Sequence, residues 1–241
     1  PVAPHGDKLS DGCPPGRRMK ARYQAVWFDL DGTLFDTAPD LIATVNRTLA
    51  EHGYPPAPAE VILPYTGHGS RQMLQHALST TADDPRLPAL QEAFYAYYLR
   101  HVAEETRWFP GMAAIVDDLD ACGVPWGIIT NKLERFTYAL ARHFQLEQRV
   151  AAIVCGDTLA TAKPDPAPLA YACALAGVRP EQAVMIGDSA ADIRAAARAG
   201  MPSIYCDYGY TSRADLAEDD CPIAFVDSPA ALAPLLFGDT P

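Results

Sequence analysis

The apolar run Ala25-Val26-Trp27-Phe28, broken at once by Asp29-Leu30-Asp31-Gly32-Thr33, constrains this chain more than any other stretch. This short apolar run, rich in β-formers, predicts a buried strand. The run then stops at a pair of carboxylates separated by a single leucine. Like charges held that close repel unless a cation or a proton sits between them. Gly32 lets the backbone turn tightly, and Thr33 offers a hydroxyl and an N–H. In open parallel α/β sheets, ligands bind beyond the carboxyl ends of the strands. The stretch therefore reads as a metal-dependent carboxylate site. The plainer alternative is an Asp-Gly turn with incidental acids.

The rest of the chain supplies such a sheet. Residues 36–107 carry only helical patterns. Leu41, Val45 and Leu49 form a stripe ended by Gly53 and Pro55-Pro56. Further helices are expected over residues 70–78 and 90–102, the last with Phe94, Tyr95, Tyr97 and Tyr98 as helical core. About 70 helical residues after a first strand exceed an ordinary crossover connection. They predict a separate helical domain at 36–108, entered near 35–38 and left near 108–110. From Gly111 helix and strand alternate: strands are expected at 124–129, 151–155, 183–186, 203–206 and 223–226. That order predicts a doubly wound, mostly parallel, Rossmann-like α/β core spanning 23–35 and 109–241. Residues 1–22 are excluded from the fold as a disordered tail or an added segment, with Met19-Lys20 read as the natural start.

Composition bounds the function. A net charge of −11 argues against nucleic acid and membranes as partners. An anionic small molecule then needs a locally positive site. The six cysteines are scattered without C-x-x-C or zinc spacing, and Cys122, Cys155 and Cys173 read as reduced core residues. With no secretory h-region, a cytoplasmic enzyme is expected, monomeric or homodimeric.

Two more strand ends and one helix start are polar. Ile128-Ile129 runs into Thr130-Asn131-Lys132, whose hydroxyl and backbone N–H groups suit phosphate oxygens; a Thr-Asn helix cap is the alternative. Lys163, in Thr161-Ala-Lys-Pro-Asp-Pro166, precedes a helix with Asp165 as N-cap and Pro166 as first residue. It reads as a fixed point charge for phosphate or as a solvated surface lysine. Asp188 follows the strand at 183–186 and suits Mg²⁺ together with Asp29. Asp192 is open between a Ser189-x-x-Asp192 capping box and an outer metal residue.

The order D-x-D-G-T, T-N-K, K-P, G-D-S-x-x-D resembles the haloacid dehalogenase superfamily of phosphohydrolases over residues 23–236, with 36–108 similar to its helical C1 cap. Within it the chain resembles the phosphoglycolate phosphatase branch on Thr66-Gly67-His68-Gly69-Ser70, Lys163-Pro-Asp-Pro and Tyr208-Gly-Tyr210. The N-acetylmuramic acid 6-phosphate phosphatases share much of this. Leu133 departs from the proline usual in that branch, a change expected to alter loop rigidity more than chemistry.

The resemblance implies a phosphomonoester hydrolase with Mg²⁺ as cofactor and a small phosphorylated metabolite, foremost 2-phosphoglycolate, as substrate. Asp29 would be the nucleophile and a metal ligand. Asp31 would be the acid/base, its backbone carbonyl facing the metal, and Asp188 a further ligand. Thr130, Asn131 and Lys163 would hold the phosphoryl oxygens. Gly67, His68, Ser70 and Arg71 are the candidate substrate selector, Arg71 being read either as a partner for a substrate carboxylate or as a solvated helix residue. A dehalogenase would need neither Asp31 nor metal; a phosphomutase differs only in the fate of the aspartyl-phosphate. A receiver-like phospho-acceptor is the non-enzyme reading, against which Asp31 and the helical insertion speak.

Overall fold

The structure, a computed structural model, describes residues 19–239. Strand β1 (Met19–Ala21) precedes β2 (Ala25–Phe28), and the short β3 (Phe35–Asp36) follows the acidic turn. Only helices come next: α1 (Ala38–Glu51), α2 (Ala59–Ile62), α3 (Ser70–Ala77) and α4 (Leu87–His101), with a 3₁₀ stretch at Leu63–His68. The chain returns through β4 (Arg107–Trp108) and α5 (Met112–Ala121) to β5 (Trp126–Ile129), α6 (Glu134–His143) and β6 (Ala152–Val154). After α7 (Ala167–Ala176), β7 (Ala183–Gly187) and α8 (Ala190–Ala199) come β8 (Ser203–Cys206) and β9 (Ala224–Val226). Helix α9 (Ala233–Leu236) and β10 (Phe237–Asp239) end the described chain.

Six strands form one sheet in the order β6-β5-β2-β7-β8-β9, and every pairing in it is parallel. Alternate residues of β2 face opposite layers. Val26 and Phe28 pack with Ile115, Val116 and Leu119 of α5 and Leu140 of α6. Ala25 and Trp27 pack with Leu169 and Cys173 of α7 and Ala195 and Ala196 of α8. Gly127 in β5 makes room for this: a Cβ there would collide with the backbone of Ala152 and stand 2.9 Å from the Trp27 ring. Cys155 and Cys173 are buried, as expected, and Cys122 is half-buried against the core.

The helices of the insertion have a core of their own, with Leu41, Val45 and Leu49 of α1 meeting Leu74, Leu87, Leu90, Phe94 and Tyr98. Phe136 of α6 enters it from the sheet side. Strands β3 and β4 pair antiparallel where the insertion begins and ends. The buried Asp40 carboxylate ties entry to exit, accepting from the Glu105 N–H (2.8 Å), the Thr106 N–H (3.0 Å) and the Thr106 hydroxyl (2.6 Å).

Three expectations are corrected. The excluded segment 1–22 reaches too far: β1 pairs antiparallel with β10, and the Arg22 N–H bonds the Leu236 carbonyl, while 1–18 lie outside the described residues. This pairing joins two ends of the sequence, which local patterns do not register. Helix α4 begins at Leu87, earlier than expected, because Pro88 suits a first turn. Helix α7 begins at Ala167 rather than Pro166, with the Asp165 carboxylate accepting from the Ala167 N–H at 2.9 Å.

Candidate active site

Strands β5, β2 and β7 lie side by side, so their carboxyl ends bring Thr130, Asp29 and Asp188 together. The Asp29 N–H still bonds the Ile186 carbonyl at 2.8 Å, which carries the ladder to the first acidic residue. The chain then turns at Gly32, with φ 83°, where a Cβ would collide with the Asp188 carboxylate. Only glycine allows both the turn and this approach.

Lys163 is buried at the centre of the group. Its ammonium donates to the Ile129 carbonyl (2.5 Å) and to Asp192 Oδ1 (2.6 Å), and pairs with Asp29 Oδ1 at 2.9 Å. The surface-lysine alternative is thereby removed. Burial depresses its pKa, but Asp192 and Asp29 outweigh that and the net shift is upward. Asp192 is a helix cap, and it has a second partner. Its carboxylate accepts from the Ser189 N–H (3.0 Å) and hydroxyl (2.6 Å), closing the capping box, and it also holds Lys163. Asn131 donates from Nδ2 to the Lys163 carbonyl at 2.8 Å, so its side chain shapes the lysine loop.

Burial pushes the Asp29 carboxyl up to about 7, with Lys163 opposing and Asp192 adding to the shift. Burial and the neighbouring Asp29 raise Asp188 well above the usual carboxylate range. One oxygen from each of Asp29, Asp188 and Asp192 lies within 4.8 Å of the others. Buried acids raised in this way need a proton or a cation between them, and an all-oxygen donor set suits a hard divalent ion. The residues present fit such an ion. Asp188 is aimed by the Tyr210 N–H, 2.7 Å from Oδ2.

Asp31 stands apart from that cluster. It accepts from the Thr37 hydroxyl (2.6 Å) and from the Lys132 ammonium, whose nitrogen lies 2.9 and 3.2 Å from its two oxygens. These residues wall a cavity of about 580 Å³ that extends beneath the helical insertion, where Gly67, His68, Ser70 and Arg71 also line it. The four candidate residues thus lie at the cavity wall, with unequal partners. Ser70 Oγ accepts from Gln91 Nε2 at 2.9 Å, whereas Arg71 is exposed and spends Nη2 on the Ala82 carbonyl at 2.6 Å.

The chain matches the description "Haloacid dehalogenase-like hydrolase" over residues 26–206, which include the whole of this constellation except Tyr210. It belongs to that family. A phosphoglycolate phosphatase of Xanthomonas campestris is 40% identical over 82% of this chain and 87% of its own length. An N-acetylmuramic acid 6-phosphate phosphatase of Pseudomonas aeruginosa is 33% identical over 90% of this chain and 96% of its own. The crystal structure of a predicted phosphoglycolate phosphatase from Haemophilus somnus superposes with a TM-score of 0.78 at 27% identity, covering 88% of this chain and 96% of that one. This haloacid dehalogenase-like hydrolase is a phosphoric monoester hydrolase resembling phosphoglycolate phosphatase.

Four residues at the hydrolase's site escaped the sequence reading: Lys132, Thr37, Tyr98 and Tyr210. Lys132 sits in the T-N-K run and Tyr210 in Tyr208-Gly-Tyr210, so both lay within quoted motifs without a role. The Tyr210 hydroxyl donates to Asp36 Oδ1 (2.8 Å) and accepts from the Thr37 (2.5 Å) and Ala38 (2.9 Å) N–H groups. One tyrosine therefore fastens the start of α1 while its own backbone aims Asp188. Thr37 and Tyr98 carried no sequence signal beyond ordinary helix positions.

Proposed function

We propose that this hydrolase cleaves small phosphomonoesters with Mg²⁺ through an aspartyl-phosphate on Asp29, with 2-phosphoglycolate as its preferred substrate. The carrying observation is the Asp29 carboxylate at the end of β2, 2.9 Å from the Lys163 ammonium and grouped with Asp188. Asp29 attacks phosphorus and the ester P–O bond breaks. Asp31 gives its proton to the departing alkoxide, then takes one from the water that hydrolyses the acyl phosphate. The Thr130 hydroxyl, the Asn131 N–H and Lys163 bind phosphoryl oxygens as charge develops on them. Asp29, Asp188 and the Asp31 carbonyl, with Asp192 behind them, would hold Mg²⁺, which would supply further positive charge toward those oxygens.

Residues 36–108 act in this reading as a cap over the core of 23–35 and 109–241, excluding water and choosing the substrate. A cytoplasmic enzyme working as monomer or homodimer is part of this reading; no described helix is long and apolar enough to cross a membrane. The cavity of about 580 Å³ favours one second reading, a bulkier substrate such as N-acetylmuramic acid 6-phosphate.

Phosphate release with Mg²⁺ from these two esters decides between them. A higher kcat/KM for 2-phosphoglycolate is expected. A preference for the sugar phosphate would establish the second reading, and release from neither would overturn the proposal.

A further inference from the structure

Of the two lysines at the site, one has a hydrogen-bond donor to spare. An ammonium carries three N–H groups. Those of Lys163 are all taken, by Ile129, Asp192 and Asp29. Both hydrogen bonds of Lys132 go to the single carboxylate of Asp31, so one N–H is left over. Lys132 is itself buried, with only 7% of its side chain exposed. Its nitrogen lies 4.8 Å from the ring centroid of Tyr98 of α4, and both residues line the cavity.

The Tyr98 hydroxyl is buried and has no hydrogen-bond partner. Lys132 is close enough to act on it electrostatically, but the pair falls outside normal hydrogen-bond geometry. An unmet buried hydroxyl costs about 1–3 kcal/mol and calls for an explanation. Neighbouring polar groups are already engaged: Gln91 Nε2 holds Ser70 Oγ (2.9 Å) and the Tyr95 hydroxyl (2.7 Å). A cation with a free donor and a phenol without an acceptor thus lie at the same part of the cavity wall.

We infer that Lys132 and Tyr98 form the subsite that recognises the leaving group, and that it takes a carboxylate carried on the ester carbon. This rests on the hydrolytic reading above, which puts the leaving oxygen beside Asp31. Because Lys132 touches both Asp31 oxygens, any anion it meets lies next to that oxygen. A carboxylate on the ester carbon satisfies the spare ammonium N–H and the phenol together. A sugar chain at that point offers no anion. Arg71, exposed and bonded to Ala82, is then not the residue that reads the carboxylate.

The test compares kcat/KM for 2-phosphoglycolate and for 2-hydroxyethyl phosphate, which replaces the carboxylate by a hydroxymethyl group. The ratio of the two within one preparation cancels differences in folded fraction. Wild type is expected to favour the carboxylate ester by about a hundredfold, as for a buried hydrogen-bonded charge pair. Lys132→Met should bring the ratio close to unity, chiefly through KM for the carboxylate ester, and Lys132→Arg should restore part of it. Tyr98→Phe should cut the ratio about tenfold, as for loss of one hydrogen bond to a charged group. A ratio unchanged in both Lys132→Met and Tyr98→Phe would overturn the assignment. So would a wild type that hydrolyses both esters equally, although the phosphatase reading would then stand. Release of phosphate from neither ester would remove that reading, and the subsite with it.

Discussion

At the floor of the cavity the charged side chains are each held by several partners, whereas on the side facing the helical insertion some polar groups are left unmet. Lys163 is held by a strand carbonyl and two carboxylates, and Asp192 by Lys163 and the first turn of α8. Across the cavity Lys132 keeps a free N–H, Tyr98 has no partner, and Arg71 points its charge at an exposed carbonyl. The floor stands on three adjacent strands of one sheet, while the opposite side is assembled from the β5–α6 turn, α3 and α4. Charged groups held from several sides stay in place for the chemistry without reorganising. A side with spare donors can take different leaving groups without disturbing it. Conserving the reaction and varying the substrate are in this way tasks of different elements.

The sharpest break in that contrast is chemical. Asp29→Asn keeps the shape of the floor and removes its nucleophile. Turnover should fall by at least roughly a thousandfold with the circular dichroism spectrum unchanged. Retention of a tenth of wild-type turnover would take Asp29 out of the role.

Stability sharpens it next. Lys163→Met leaves Asp29 and Asp192 buried without their cation and should cost about 3–5 kcal/mol in urea unfolding. Lys132→Met strands only Asp31, which keeps the Thr37 hydroxyl, and should cost about 1–3 kcal/mol. Equal losses would mean that the two lysines are not differently committed.

The smallest effect belongs to Arg71→Ala. An exposed side chain with one carbonyl contact should change stability and transition-state binding by no more than about 0.5 kcal/mol, a little over twofold in kcat/KM for 2-phosphoglycolate. A loss of tenfold or more would return Arg71 to the selector.

What could be read directly was whatever local pattern encodes. Asp29, Thr130 and Asp188 each end an apolar run, and in an all-parallel sheet such ends share one edge, so their convergence followed from the pattern alone. The capping box at Ser189 and Asp192 and the glycine stop at Gly200, with φ 69°, are equally local. The acidic pair at 29 and 31 is different. Their shared motif suggested one metal site, but the turn at Gly32 sends Asp29 toward Asp188 and Asp31 toward Lys132, about 100 residues further on.

Sequence by itself therefore determined the alternation of strands and helices, the helical insertion after β2, and the residues standing at the strand ends. These depend on side-chain period, apolar runs and turn residues within short windows. Tertiary structure alone decided that β1 closes against β10, that Asp192 serves the helix cap and Lys163 together, and that Lys132 rather than Arg71 faces an unmet phenol. Each of those is a contact between distant segments, and its energy depends on burial and on which partners are already taken. Neither quantity exists until the chain has packed.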